Sequence, residues 1–301
     1  MKDIDRKELE ILFSTADKLQ EMKYRDRVAL GEGRILGVMF FEPSTRTRLS
    51  FESAMASIGG TSIGFSETKS TSIEKGESLA DTVRVVEANS DVLVLRHSNE
   101  GSARFAAEIA NKPVVSGGTG TEEHPTQAML DLYTILKERG TIDGLRIGIV
   151  GDLRYGRTVY SLIFGLAKFD VSIDLVAPPG LKVRQEATHD IGKIPGKTRT
   201  IEMTERENLQ EILPELDVLY ITRIQRERLP DEQEYEKVRG SYYIDAELTK
   251  KMKKNAIIMH PLPRIDEIRQ DVDATPQARY FTQMQYGRTV RASLLSLILN
   301  P

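Results

Sequence analysis

The amino-acid sequence predicts an α/β protein of two domains, each with a mostly parallel sheet flanked by helices. Three observations carry this expectation. Short aliphatic runs alternate with longer segments of helical periodicity along most of the chain. The alternation pauses at a polar, glycine-bearing stretch, Arg139-Gly140-Thr141-Ile142-Asp143-Gly144, and then starts again. The 301 residues exceed one ordinary domain of ~100–150 residues and suit two.

Each element follows from its local pattern. Residues 4–22 place Ile4, Leu9, Ile11, Leu12, Ala16 and Leu19 at roughly helical spacing. The run Ile35-Leu36-Gly37-Val38-Met39-Phe40-Phe41 reads as a buried strand, and residues 45–58 as a helix entered through the turn Glu42-Pro43-Ser44. A strand at 61–65, a helix at 78–88, a strand at 91–95, a helix at 102–110, a strand at 113–116 and a long helix at 125–138 follow. Beyond the joint come a strand at 146–150, a helix at 155–168 and a strand at 171–176. Strands at 218–221 and 256–259 have helical sequence between them, and a leucine-rich helix covers 280–299. We therefore expect a first domain over residues 1–138, completed by the helix at 280–301, and a second over 139–279. In such sheets ligands bind beyond the carboxyl ends of the strands, so strand-to-helix junctions are read most closely.

Composition narrows the function classes. The chain is 40% hydrophobic and 29% charged, with 42 basic and 45 acidic residues, so no global charge excess points to nucleic acid as a partner. Lys250, Lys251, Lys253 and Lys254 read as solvated lysines at a helix end. Cysteine is absent, which excludes disulfides, thiolate zinc sites and a cysteine nucleophile. The start, MKDIDRKELE, has no apolar core of a signal peptide, and no run approaches the ~20 apolar residues that span a bilayer. A cytoplasmic protein without membrane partners is expected. Histidines at ligand spacing are not found, so neither a metal nor another cofactor is expected.

The most informative segment is Glu42-Pro43-Ser44-Thr45-Arg46-Thr47-Arg48. It joins a buried strand to a helix whose first N–H groups lack intrahelical acceptors. Ser44, Thr45 and Thr47 add hydroxyls and Arg46 a planar cationic fork. Together these describe a site for a phosphate-sized dianion. A second strand-to-helix junction, Gly151-Asp152-Leu153-Arg154-Tyr155-Gly156-Arg157, has a glycine turn but not the G-x-G-x-x-G spacing of a dinucleotide site, which removes the nicotinamide-dehydrogenase reading.

Ser44-Thr45-Arg46-Thr47-Arg48 resembles the carbamoyl-phosphate motif of the aspartate/ornithine carbamoyltransferase family. The resemblance runs on through Arg96-His97, His124-Pro125-Thr126-Gln127, the Gly151–Arg157 junction and His260-Pro261-Leu262-Pro263-Arg264, in the family's order and approximate spacing. It implies transfer of a carbamoyl group from carbamoyl phosphate to an amine, with Arg46, Thr47, Arg96 and His124 contacting the phosphate or carbamoyl group. Gln127 would hold the carbamoyl amide, and backbone carbonyls of Pro261 and Leu262 would accept from the carbamoyl amino group. His97 is read as structural, and His189, with no motif around it, as exposed.

Residues for the second substrate separate the family's branches. Ornithine enzymes carry His-Cys-Leu-Pro and a Ser-Met-Gly loop; this chain has His260-Pro261-Leu262-Pro263 and no cysteine. By resemblance Arg157 takes one carboxylate, Arg223 the other and Gln225 supports it, which implies L-aspartate as acceptor. Arg226 and Arg228 are read as loop surface. The polar stretch at 66–76 implies a further partner: Ser72 and Lys75 would reach into the active site of a neighbouring subunit, in a homotrimer with shared sites. Lys75 rather than Lys69 is aligned there, although this loop is one residue shorter between serine and lysine than is usual. Gln285-Tyr286-Gly287-Arg288 also departs, with tyrosine where many relatives have asparagine. Retention of Lys75, His124 and Arg223 argues against a non-catalytic scaffold. A separate zinc-bearing regulatory chain is a possible partner.

Overall fold

Two parallel sheets organise the chain. The computed structural model describes residues 1–67, 71–121, 123–185 and 201–301. They divide into one unit made of Lys7–Leu130 with Gln285–Pro301, and another made of Met1–Arg6 with Asp131–Met284.

In the first unit the strands β1 (Ile35–Phe40), β2 (Thr61–Phe65), β3 (Val92–His97) and β4 (Val114–Thr119) lie in the order β2-β1-β3-β4, every pair parallel. Helices α1 (Arg6–Glu21), α2 (Tyr24–Val28), α3 (Thr45–Ser57), α4 (Leu79–Glu87), α5 (Ser102–Ile109) and α6 (Pro125–Arg139) follow in chain order. Alternation along the strands divides the core into two layers. Leu36, Val38, Phe40, Val92 and Val94 pack with Leu19, Phe51, Ala54 and Met55, and with Ala292 and Leu295. Met39, Leu93 and Leu95 face the other way, onto Val83 and Ala106. A sheet covered on both faces needs strands apolar on both, which is why these runs are nearly continuous in the sequence. Each fully buried leucine or valine contributes about 1.5–3 kcal/mol.

In the second unit β5 (Arg146–Val150), β6 (Ser172–Val176), β7 (Glu202–Arg206), β8 (Val218–Ile221) and β9 (Ile257–Met259) lie in the order β7-β6-β5-β8-β9, again all parallel. The helices are α7 (Arg157–Leu166), α8 (Leu209–Ile212), α9 (Glu232–Val238) and α10 (Ala246–Thr249), and the start of α11 (Tyr280–Leu299), whose residues from Gln285 onward belong to the first unit. Val150, Val176, Leu219, Ile221 and Ile258 form one core layer with Leu209, Ile212, Leu248 and Tyr280. Residues 285–288 run within α11 with no turn.

The α/β class and the parallel sheets hold; the short helix α2 is an addition to the expectation, and two further local differences have a clear cause. β7 is absent from the sequence-based expectation because it is a charged edge strand: Arg206 pairs with buried Asp174, and Glu205 with Lys182. α7 begins at Arg157 rather than near Tyr155, because Asp152 accepts hydrogen bonds from the N–H groups of Arg154 (3.2 Å) and Tyr155 (2.9 Å) and holds a turn there. Among the described residues no helix is long and apolar enough to cross a membrane.

Strand order fixes where ligands can enter. In the first sheet β1 is followed on one side by β2 and on the other by β3, so the order reverses between β1 and β3. In the second it reverses between β5 and β8. At such a reversal the helices leave to opposite faces and open a crevice beyond the strands' carboxyl ends.

Candidate active site

At the first crevice β1 hands the chain through Phe41-Glu42-Pro43-Ser44 to α3. Ser44 is extended (φ −158°) and its side chain makes no capping bond, so its hydroxyl does not close the helix end. Thr45 and Arg46 are exposed in the first turn, and Thr47 is buried. The Thr47 hydroxyl lies 3.5 Å from His124 Nε2. His124 is itself buried at the entrance to α6, with Gln127 one turn on, and its carbonyl accepts from the Gln127 N–H at 3.0 Å.

Arg96 ends β3, 7% exposed. Nη1 donates to the Gly117 carbonyl at 3.1 Å and Nη2 to Glu42 Oε1 at 3.3 Å. The floor between Arg96 and His124 is Gly118, held in the left-handed region at φ +109°. A Cβ there would stand 3.2 Å from Arg96 Nη1 and 3.3 Å from the His124 ring, so β4 must carry glycine for the two side chains to approach. Thr47, Arg96 and His124 thus converge from β1–α3, β3 and α6. A hydroxyl, a guanidinium and an imidazole, all nearly buried, can together donate to an anionic oxygen.

His97, next along, behaves differently. Its Nδ1 accepts from the Asn99 N–H at 2.9 Å and its ring packs on Phe41 at 4.8 Å. Burial lowers its pKa, against the pull of Glu42. Ser72 and Lys75 sit on an exposed 3-10 turn, Ser72–Lys75, closed by Gly76 at φ +92°. The contacts of the cluster come from other elements. Lys69 and His189 lie outside the described residues.

At the second crevice Asp152, wholly buried, ties two loops together. One oxygen takes the N–H groups of Arg154 and Tyr155; the other accepts from Gln225 N at 3.3 Å. Burial pushes the Asp152 carboxyl above the ordinary value, opposed by these three N–H groups and by Arg223. The loops meet closely. Gly151, at φ +116°, would place a Cβ 2.1 Å from the Thr222 carbonyl oxygen. Gly151→Ala should therefore cost at least ~2 kcal/mol through backbone strain and displacement of Thr222. A lower urea midpoint at unchanged slope is the expected readout; an unchanged midpoint would show that the loops do not need this approach.

Arg157 opens α7, half-buried. Arg223 follows β8, and its guanidinium grips Glu227 through both Nη atoms. That pairing raises its pKa, outweighing burial, with smaller contributions from Glu267 and Asp152. Arg226 pairs with Glu232 in solvent. After β9, His260 is buried and Pro261 and Leu262 are half-buried; Leu262 is a non-glycine residue at φ +56°. Arg157 and Arg223 thus stand on the two loops that flank the second crevice, one opening α7 and the other following β8.

The chain matches the model of the aspartate/ornithine carbamoyltransferase carbamoyl-phosphate-binding domain over residues 1–137, and that of the aspartate/ornithine-binding domain over 143–298. The chain belongs to the aspartate/ornithine carbamoyltransferase family. Among its relatives, the aspartate carbamoyltransferase catalytic subunit of Nitrosopumilus maritimus is 55% identical over 300 residues, covering 100% of this chain and 95% of that protein. The catalytic subunit of M. jannaschii aspartate transcarbamoylase superposes with a TM-score of 0.89 at 47% identity, over 99% of this chain and 96% of that one. The Trypanosoma cruzi enzyme in complex with carbamoyl phosphate and aspartate gives 0.88 at 37%, over 98% and 92%.

Several residues that shape these two crevices carry no motif strong enough to be read from sequence. Glu42 steadies Arg96, Gly118 makes room for it, Asp152 joins two loops and Glu227 holds Arg223. Asp152 had the best available signal, an Asp two and three residues before donors in a glycine turn. Glu227 had only its i+4 spacing from Arg223.

Proposed function

We propose that the chain transfers the carbamoyl group of carbamoyl phosphate to the amino group of L-aspartate, giving N-carbamoyl-L-aspartate and phosphate, an early step of de novo pyrimidine biosynthesis. The observation that carries the choice of acceptor is Arg223, whose fork already holds a carboxylate in bidentate geometry. An ornithine side-chain ammonium would be repelled there.

In this reading Ser44, Thr45, Arg46 and Thr47 bind the phosphate of carbamoyl phosphate, with Gln127 on the carbamoyl amide. Arg157, Arg223 and Gln225 hold aspartate, and the Pro261 and Leu262 carbonyls accept from the amino group of the transferring carbamoyl. The aspartate amine attacks the carbonyl carbon, charge builds on the carbonyl oxygen, and Thr47, Arg96 and His124 stabilise it. Each such donor lowers a barrier by about 3–4 kcal/mol. The carbon–oxygen bond to phosphate then breaks and the departing phosphate takes the proton of the amine. Positioning alone can supply ~7–11 kcal/mol of the remainder. No covalent enzyme intermediate is required.

Exposure of Ser72 and Lys75 supports a second part of the reading. They complete the phosphate site of a neighbouring copy, so the active form is a cytoplasmic homotrimer, with a zinc-bearing regulatory chain as a further partner. The test is turnover by the purified chain with carbamoyl phosphate and either L-aspartate or L-ornithine. Carbamoyl-aspartate is the expected product. Turnover with ornithine alone would overturn the assignment of Arg223, and turnover with neither would overturn the reading as a whole.

A further inference from the structure

We infer that His260 is a positioning residue, whose ring nitrogen Nδ1 aims the carbonyl of Pro261. The inference rests on the reading above that this carbonyl faces the transferring group. His260 has a side chain 1% exposed, and its two ring nitrogens have different partners. Nδ1 lies 2.7 Å from the Leu262 N–H, and Nε2 lies 2.7 Å from Glu267 Oε1. The Leu262 N–H can only donate, so Nδ1 is bare; the carboxylate can only accept, so Nε2 carries the proton.

Planarity of the peptide does the rest. The Leu262 N–H and the Pro261 C=O belong to one trans peptide unit and point in opposite directions. Drawing that N–H onto His260 therefore turns the Pro261 carbonyl away from the ring. The same bond holds Leu262 at φ +56°, a conformation that costs a non-glycine residue roughly 1–2 kcal/mol unless its surroundings impose it.

The ring is anchored from outside the loop as well. Glu267, 5% exposed, also accepts from the Ile265 N–H (3.2 Å) and the Asp266 N–H (3.2 Å), which fixes the carboxylate. The His260 N–H donates to Gln283 Oε1 at 2.9 Å, and Gln283 Nε2 donates to buried Asp131 at 2.6 Å. Asp131 also accepts from Tyr220 at 2.9 Å. Burial lowers the His260 pKa, and Arg264 and Arg223 act in the same direction against Glu267. The ring thus stays neutral and keeps Nδ1 as an acceptor.

Two substitutions separate aiming from core filling. His260→Asn puts an oxygen near the position of Nδ1 but does not reach Glu267; His260→Gln reaches Glu267 and leaves no acceptor for Leu262. Hydrogen exchange of the Leu262 amide and steady-state kinetics are measured on wild type and both variants. Protection of that amide should persist in His260→Asn and be lost in His260→Gln. The kcat should fall on the order of 100-fold in the glutamine variant, as for a ~1 Å misplacement, with KM for both substrates within about threefold. The asparagine variant should stay within about fivefold of wild type. Equal losses in the two variants, or a protected Leu262 amide in His260→Gln, would overturn the proposal. If His260→Gln does not fold, Glu267→Ala decides: it frees the tautomer, so Leu262 protection should drop, and unchanged protection counts against us. A wild type that exchanges as expected but turns over neither substrate would leave the positioning intact and refute the function it serves.

Discussion

Alanine at position 223 should raise the aspartate concentration for half-maximal rate on the order of 100-fold, while that for carbamoyl phosphate moves by less than about threefold. A 100-fold change is ~2.7 kcal/mol, the size expected when one charge-assisted, two-pronged contact to a carboxylate is lost. The contact exists already in the chain, with Glu227 as the carboxylate. A substrate carboxylate meets a guanidinium oriented in advance and exchanges with, or joins, Glu227. Lysine at this position keeps the charge and loses the fork, and should recover little. Stability is a weak competitor as an explanation, because Glu227 is 54% exposed and loses little when its partner goes. Steady-state kinetics in both substrates checks the claim; a parallel rise for both would remove Arg223 from the aspartate site.

The second large effect is on the chemical step. Replacing Arg96 by alanine should lower kcat about 100–1000-fold, the range for one donor to a developing oxyanion. Arg96 is nearly buried, and its Nη1 and Nη2 are oriented by the Gly117 carbonyl and Glu42. The necessary control is Glu42→Gln, which keeps an acceptor for Nη2 and should stay within about fivefold of wild type. Single-turnover rates with both substrates saturating separate the step from binding. An Arg96→Ala enzyme within tenfold of wild type would assign the oxyanion to other donors.

Much of this was legible from sequence because it depends on local pattern. The strands of both sheets are doubly covered, so they announce themselves as runs such as Val92-Leu93-Val94-Leu95. Ser44–Thr47 and the His260–Leu262 loop follow β1 and β9, and each is a short contiguous motif. What escaped was set by tertiary contact. β7 is stabilised by pairing with β6 and by Arg206 on Asp174, neither of which leaves an apolar run. Gly118 is one glycine among 22 until Arg96 and His124 are seen to press on it. The His260–Glu267 pair is seven residues apart, a spacing with no meaning in a loop of unknown shape.

Residues from both ends of the described chain meet in the layer that covers β1 and β3. Arg291 reaches Ser50 across 241 residues, Ser293 reaches the carbonyl of Leu12 across 281, and Ala292 and Leu295 lie among Leu36, Val38 and Val94. A ribosome adding ~5–20 residues per second takes roughly 10–50 s to span the first of those separations. For that interval the nascent half that contains β1–β4 carries one sheet face without α11, a hydrophobic surface that other chains and chaperones can reach before the molecule itself covers it.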